Sequence, residues 1–299
     1  MSQIGTVEQA IAEAAQKLEE NNVYCGHGTD NTWDEACLLF LYSIGLERAD
    51  ESILDEPITP EATAALDTLI ESRINQRVPA AYLIGEAEFA GLRFKIDERV
   101  LVPRSPIAEV ILNEFRPWIN KDPNTILDLC TGSGCIGIAS AMTFPETRVV
   151  LTDLSTDALD VAQENIQRHQ LEGSCRIIES DIFENLAGQS FDLILSNPPY
   201  VDQRDLSEMP TEYHKEPALG LAAGVDGLDI VRPMLLQAAD HLNQGGSLIV
   251  EVGNSWVALE ELYPEVPFTW IEFEFGGDGV FIFTKEQLLE YQEIFQDRA

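Results

Sequence analysis

Basic side chains are scarce in this sequence: 18 Lys and Arg stand against 52 Asp and Glu, giving a formal charge of −34 and an isoelectric point near 4.2. A field of that sign repels phosphate backbones and attracts cations, so direct DNA binding is not expected. The acid is spread along the chain, and residues 1–85 hold 15 acidic against 4 basic side chains. Such a surface suits either a saline host or a basic macromolecular partner. Long apolar runs are also missing, which excludes a membrane helix. The first twenty residues carry Glu8, Glu13, Glu19 and Glu20 where a signal peptide needs basic and then apolar residues, so a cytoplasmic location is expected. Only five cysteines occur, Cys25, Cys37, Cys130, Cys135 and Cys175. Their odd number and the absence of CxxC or Cys/His spacing argue for reduced thiols and against disulfides, zinc or another metal.

What is present is ample apolar content, 45% of 299 residues, enough for one large or two medium domains. Residues 1–85 read as a small helical domain with amphipathic segments at Val7–Leu18 and Trp33–Ile44. A third helix opens at Thr59-Pro60, runs through Leu66, Leu69, Ile70 and Ile74, and stops before Val78-Pro79. Residues 86–103 change to a period of two, with Phe89 before Gly91 and then Leu92, Phe94 and Ile96, predicting a β-hairpin connector. Residues 104–299 then alternate strands and helices. Strands are expected at Ile126–Cys130, Val149–Asp153, Arg176–Ser180, Phe191–Ser196 and Ser247–Val252, and helices from Cys135, over Thr156–His169 and around Leu228–Leu242. Two final strands, Phe268–Phe275 and Val280–Thr284, flank Gly276-Gly277-Asp278-Gly279. The fold class is therefore α/β, a doubly wound and mostly parallel sheet ending in an antiparallel hairpin.

Three features at strand ends carry chemistry. Asp128-Leu129-Cys130-Thr131-Gly132-Ser133-Gly134-Cys135 is a glycine-rich turn between the first strand of the sheet and its helix, suited to close approach of a ligand. It departs from a full dinucleotide fingerprint, with Cys130 in place of the first glycine and Ile138 where the third is expected. Asp153, 21 residues beyond Gly132, ends the second strand where a carboxylate can accept from both ribose hydroxyls, and Leu154 follows it. Asp181 closes the third strand, beside Ile182; these two either border an adenine or cap the following turn. After the fourth strand stands Ser196-Asn197-Pro198-Pro199-Tyr200. Two prolines fix the chain and supply no N–H, leaving carbonyls and the Asn197 amide to hold a planar NH₂ group by its hydrogens.

This combination resembles the Rossmann-like S-adenosylmethionine-dependent methyltransferases. Within them an Asn-Pro-Pro-Tyr corner is shared by adenine-amino DNA, guanine-amino ribosomal RNA and protein N5-glutamine methyltransferases. Further blocks resemble the last group, in its branch acting on large-subunit ribosomal protein L-three. They are Tyr24–Asn31, Glu98–Ile107, Glu216–Gly224, Glu251–Ser255 and Gly276–Phe281, and the Cys130 variant of the turn belongs to the same resemblance. The resemblance implies that S-adenosylmethionine is the cofactor, held by Asp128, Thr131, Gly132, Ser133, Gly134, Cys135, Asp153, Leu154, Asp181, Ile182 and Asn197. It implies catalysis by Asn197, Pro198 and Tyr200, and a protein substrate met by these with Pro199, Arg104 and Glu251. Asn254 is a further candidate for steering the substrate, and His27 reads as a loop or docking residue. A release-factor glutamine methyltransferase, a nucleic-acid amino-methyltransferase and a catalytically silent assembly factor remain as alternatives. The Tyr24–Asn31 block speaks against the first and the charge against the second.

Overall fold

The computed structural model describes residues 5–298. Helix α1 (Val7–Glu20) starts at Thr6, whose hydroxyl accepts from the Gln9 N–H while the Gln9 side chain accepts from the Thr6 N–H. Helix α2 (Thr32–Ser43) is capped by Asn31, and α3 (Pro60–Gln76) opens as expected, with Thr59 as cap and Pro60 first. A short α4 (Ala80–Ile84), unforeseen in the sequence, follows Pro79. The apolar spacing of these helices turns Ile11, Leu18, Leu39, Phe40, Leu66 and Ile70 into one buried cluster.

Strands β1 (Glu86–Phe89) and β2 (Leu92–Lys95) pair antiparallel. Helix α5 (Ile107–Leu112) leads to β3 (Thr125–Leu129), α6 (Cys135–Thr143), β4 (Arg148–Asp153), α7 (Thr156–Arg168), β5 (Cys175–Glu179) and β6 (Phe191–Ser196). Next come α8 (Gln203–Glu208), α9 (Val231–Gln237), β7 (Leu242–Glu251), α10 (Trp256–Leu262), β8 (Thr269–Trp270), β9 (Val280–Thr284), α11 (Lys285–Glu290) and α12 (Gln292–Asp297). The seven-stranded sheet has the order β5-β4-β3-β6-β7-β9-β8, with β3 to β7 parallel and β8 and β9 antiparallel to each other. Both faces are covered: α5, α6 and α7 bury one side together with Phe89, Phe94 and Ile96 of the hairpin, and α9 to α12 bury the other. The hairpin is thus packed into the core of the sheet. Asn165 of α7 fixes it there, accepting from Lys95 N–H at 2.7 Å and donating to the Lys95 carbonyl at 2.9 Å.

Two expectations fail near the C-terminus. The long helix around Leu228–Leu242 is α9 with a 3₁₀ turn at Ala238–His241, and β7 begins at Leu242, which pairs with Phe191 across a register shift between Phe191 and Leu193. The strand foreseen at Phe268–Phe275 shrinks to Thr269–Trp270. The N–H groups of Glu274 and Phe275 are taken by the Glu109 carboxylate at 3.0–3.2 Å, so this stretch leaves the ladder for α5.

Candidate active site

The strand order reverses between β3 and β6, which places a crevice at their C-terminal ends. Leu129 is in register with Ser196, so the glycine turn and the Asn-Pro-Pro-Tyr corner leave the sheet side by side. Ser196 Oγ ties them by donating to the Leu129 carbonyl at 2.8 Å. Between them opens a cavity of about 450 Å³, of the size that small-molecule sites have. Its walls include Cys130, Thr131, Gly132, Ser133, Cys135, Asp153, Leu154, Asp181, Ile182, Asn197, Pro198, Pro199, Tyr200, Arg104, Glu251 and Asn254.

At one end the Asp153 carboxylate is aimed by backbone donors, Gly132 N–H to Oδ2 and Ser155 N–H to Oδ1, both at 2.9 Å. Two accepted bonds leave a carboxylate with lone pairs to spare for the hydroxyls of a ribose. Burial shifts its pKa upward, opposed by these N–H groups. Asp181 is exposed, and the turn behind it is held by Ser180, whose hydroxyl accepts from Asn185 N–H at 3.1 Å. The Asp181 carboxylate is thereby left to the cavity and not spent on a cap. Cys130 adopts a left-handed φ of 56°, doing with a side chain what a glycine would do there.

Two predicted ligand contacts lie elsewhere. Asp128 does not reach the cavity wall: it is fully buried under the turn, accepting from the Thr131 hydroxyl and, at 2.9 Å, from the Gly137 N–H. Its role is to brace the loop, and burial raises its pKa to about 7 against those two hydrogen bonds. Gly134 also faces inward, since a Cβ there would stand 3.0–3.3 Å from Ile138, Leu151 and Ala162. The close-packing glycine sought at position 138 is Gly137, where a Cβ would meet Asp128 Oδ2 at 2.9 Å. The sequence contained that signal, one residue from where the motif spacing pointed.

At the other end, among the described residues, neither the Asn197 side chain nor the Pro198 carbonyl is engaged in a hydrogen bond, and both line the cavity. The corner is held from behind. Tyr200 donates its hydroxyl to Glu251 Oε1 at 3.0 Å, and the Tyr200 carbonyl accepts from Ser255 Oγ at 2.7 Å. The ring lies on Gly253, where an added Cβ would come within 2.5 Å of it. Glu251 anchors the corner from the cavity wall, and its second oxygen accepts from Ser105 Oγ at 2.5 Å. Burial lifts its pKa to about 7, opposed by the Ser105 and Tyr200 hydrogen bonds and by Arg104. Arg104 is likewise occupied, donating Nη1 and Nη2 to Glu216 at 2.6 and 2.8 Å while lying 5.3 Å from the centre of the Tyr213 ring. His27 is 2% exposed and packed between Tyr213 and Glu216, which rules it out as a surface docking residue. Tyr213 and Leu219 to Ala222 also line the cavity. The latter lie in a block noted in the sequence, whereas nothing in the local pattern singled out Tyr213. Among the described residues no cluster of His, Cys, Asp and Glu could hold a metal ion.

A glycine turn, an aimed carboxylate and a Pro-Pro corner around one crevice define a methyltransferase of the Rossmann-like class. The methyltransferase small domain family matches residues 108–213, and the PrmC N-terminal domain family matches residues 9–85. A ribosomal protein uL3 glutamine methyltransferase of Francisella tularensis is 47% identical, covering 99% of this chain and 95% of its own length. A protein of the same name from Neisseria meningitidis is 43% identical, covering 96% and 95%. The chain belongs to the family of ribosomal protein uL3 glutamine methyltransferases. Among solved structures, a methyltransferase from Pyrococcus furiosus is 22% identical with a TM-score of 0.48, covering 65% of this chain and 89% of that one.

Proposed function

We propose that the protein transfers a methyl group from S-adenosylmethionine to the side-chain amide nitrogen of one glutamine in ribosomal protein uL3. The observation that carries this reading is the pair of unengaged acceptors, the Asn197 side-chain oxygen and the Pro198 carbonyl, rigidly presented in the wall of the same cavity as Asp153 and the glycine turn. S-adenosylmethionine, held by Asp153, Asp181 and the turn from Cys130 to Cys135, supplies an electrophilic sulfonium methyl. The residues of the chain do the rest by placement. An amide nitrogen is a weak nucleophile because its lone pair is delocalised into the carbonyl, and no residue in the cavity is a base strong enough to ionise it. Asn197 and Pro198 accept its two hydrogens and so orient the nitrogen. Such orientation is worth roughly 7–11 kcal/mol. Their hydrogen bonds strengthen as the nitrogen becomes cationic, which favours the transition state over the ground state. The N-protonated amide so formed is a strong acid and sheds one proton to water, leaving the neutral N-methyl amide. Tyr200, fixed by Glu251, Ser255 and Gly253, offers its ring to the planar amide.

A strongly basic ribosomal protein complements a chain of charge −34, and the acidic helical domain of residues 1–85 contributes to the docking surface. This reading places the enzyme in the cytoplasm, where subunits assemble. The test is peptide mass spectrometry after incubation with S-adenosylmethionine and unmethylated uL3 or, separately, a release factor. A gain of one methylene on a glutamine of uL3 alone is expected. A gain on the release factor alone would overturn the substrate, and none on either would overturn the activity.

A further inference from the structure

The helical bundle meets the segment that follows the catalytic corner through carboxylates withdrawn from solvent, Glu212 and Glu216. Arg73 is 0% exposed. Its Nε donates to Glu35 Oε1 at 2.7 Å, its Nη2 to the Tyr24 carbonyl at 2.7 Å, and its Nη1 to Glu212 Oε1 at 3.4 Å. Glu212 also accepts from Arg77 Nη1 at 3.3 Å and from the Tyr24 N–H at 3.2 Å. Four residues on, Glu216 takes both arms of Arg104 and the Val102 N–H at 2.9 Å, with His27 Nε2 at 3.5 Å. Tyr213 sits between the two carboxylates, its ring 4.4 Å from that of His27 and 5.7 Å from that of Tyr24.

The chain then continues into the catalytic corner. Pro217, Leu219, Gly220, Leu221 and Ala222 line the cavity. Val201, the residue after Tyr200, donates to the Leu221 carbonyl at 2.8 Å and accepts from the Ala223 N–H at 2.9 Å. One continuous path thus runs from Arg73 through Glu212 and Glu216 and along residues 217–223 to Asn197–Tyr200. Buried charge pairs of this kind are costly to separate, so they hold two bodies in one arrangement.

We propose that the helical bundle, besides docking substrate, sets the position of the Asn-Pro-Pro-Tyr corner, and that Glu212 and Glu216 are the positioning residues through which it does so. The proposal rests on the reading of that corner as the site that holds the substrate amide. A bundle that only docks substrate would act on KM for the whole protein substrate and leave turnover of a short glutamine peptide alone. A bundle that positions the corner acts on kcat for both.

The experiment uses full-length Glu212→Gln and, as a milder cut in case the first fails to fold, Arg77→Met. Hydrogen exchange of Val201 and Ala223 is read beside kcat and KM on uL3 and on a short glutamine peptide. Faster exchange at those two amides with β3 and β6 unchanged is expected. With it should come a kcat lowered about two- to thirty-fold on both substrates, the range found for residues that couple distant sites. Affinity for S-adenosylmethionine should hold, and Glu212→Asp should restore part of the loss. Unchanged exchange with only a raised KM for uL3 would overturn the proposal. Faster exchange in the variants of a protein that methylates neither substrate would uphold the coupling and sink the reading of the corner instead.

Discussion

Asn197 is asked to accept a hydrogen from the substrate amide, and among the described residues no partner competes for its side chain in the cavity wall. Replacing it by alanine removes an acceptor whose bond strengthens as the amide nitrogen gains positive charge. Asn197→Ala should therefore lower kcat at least about a hundredfold, while the dissociation constant of S-adenosylmethionine moves little. Calorimetric binding beside initial rates checks this, and equal damage to both would assign Asn197 to the cofactor. Glu251 supports a different prediction. Its folded pKa, lifted from 4.5 to about 7 by burial, lies above its unfolded value. The folded state therefore binds the extra proton between those values, so the contribution is full below about pH 4 and is lost as pH rises through about 7. The change amounts to at most about 3 kcal/mol. Urea unfolding of Glu251→Gln at about pH 5 and about pH 8 should show a smaller fall in stability than the parent shows. Asp128, raised to a similar value by its own burial, keeps part of that fall in the variant. The groups facing Glu251 are Ser105, Tyr200, Arg104 and Asp278, and of these only Asp278 pushes its pKa further up.

Among the elements, the hairpin and α7 show how a local pattern and a long-range bond divide the work. Period-two alternation at Leu92, Phe94 and Ile96 was enough to foresee the hairpin. Its docking depends on Asn165, which is 0% exposed and also donates to the Ser133 carbonyl at 2.8 Å, joining β2, α7 and the glycine turn. No helix-face pattern announces such a residue, since an asparagine on a helix reads as solvent-facing. Asn165→Ala leaves the half-buried backbone groups of Lys95 and the buried Ser133 carbonyl without this partner. It should cost about 2–4 kcal/mol and lower the melting temperature by several degrees. Thermal melts followed by circular dichroism check it, and a near-neutral result would mean that water replaces the side chain. The same division explains what the sequence withheld elsewhere. Caps, apolar periodicity and strand-end motifs are local, so α1 to α3, the order of strands and helices, and most of the cavity wall were legible. The short β8 was not, because Glu109, 165 residues away, captures the Glu274 N–H that an isolated strand pattern assigns to the sheet. His27 misled for a related reason: a polar side chain looks available until the ring and acid packed on it are known, and the partners of Arg104 and Glu251 in the cavity wall were hidden in the same way.

For the molecule as a whole, the charge of −34 admits two accounts that differ in what salt should do. If the acidic surface serves to draw in basic uL3, its effect is long-ranged and falls off as the Debye length shrinks from about 8 Å near physiological ionic strength to about 3 Å at 1 M. Association then slows and KM for uL3 rises steeply with salt, while turnover at saturating substrate and turnover of a short uncharged glutamine peptide stay level. If the surface instead keeps the fold soluble and compact in a saline medium, added salt relieves self-repulsion among 52 acidic side chains, and stability and activity on both substrates hold or improve. The discriminating measurement is kcat/KM for uL3 and for the peptide across about 0.05–1 M potassium chloride, with unfolding midpoints taken in parallel. Recognition of a basic protein predicts that the two substrates diverge by an order of magnitude or more over that range, whereas parallel curves would assign the charge to the solvent. The buried charges at the bundle interface are shielded from the salt in either case. A loss of turnover on the peptide at high salt would therefore have to come from unfolding, and the midpoints would show it.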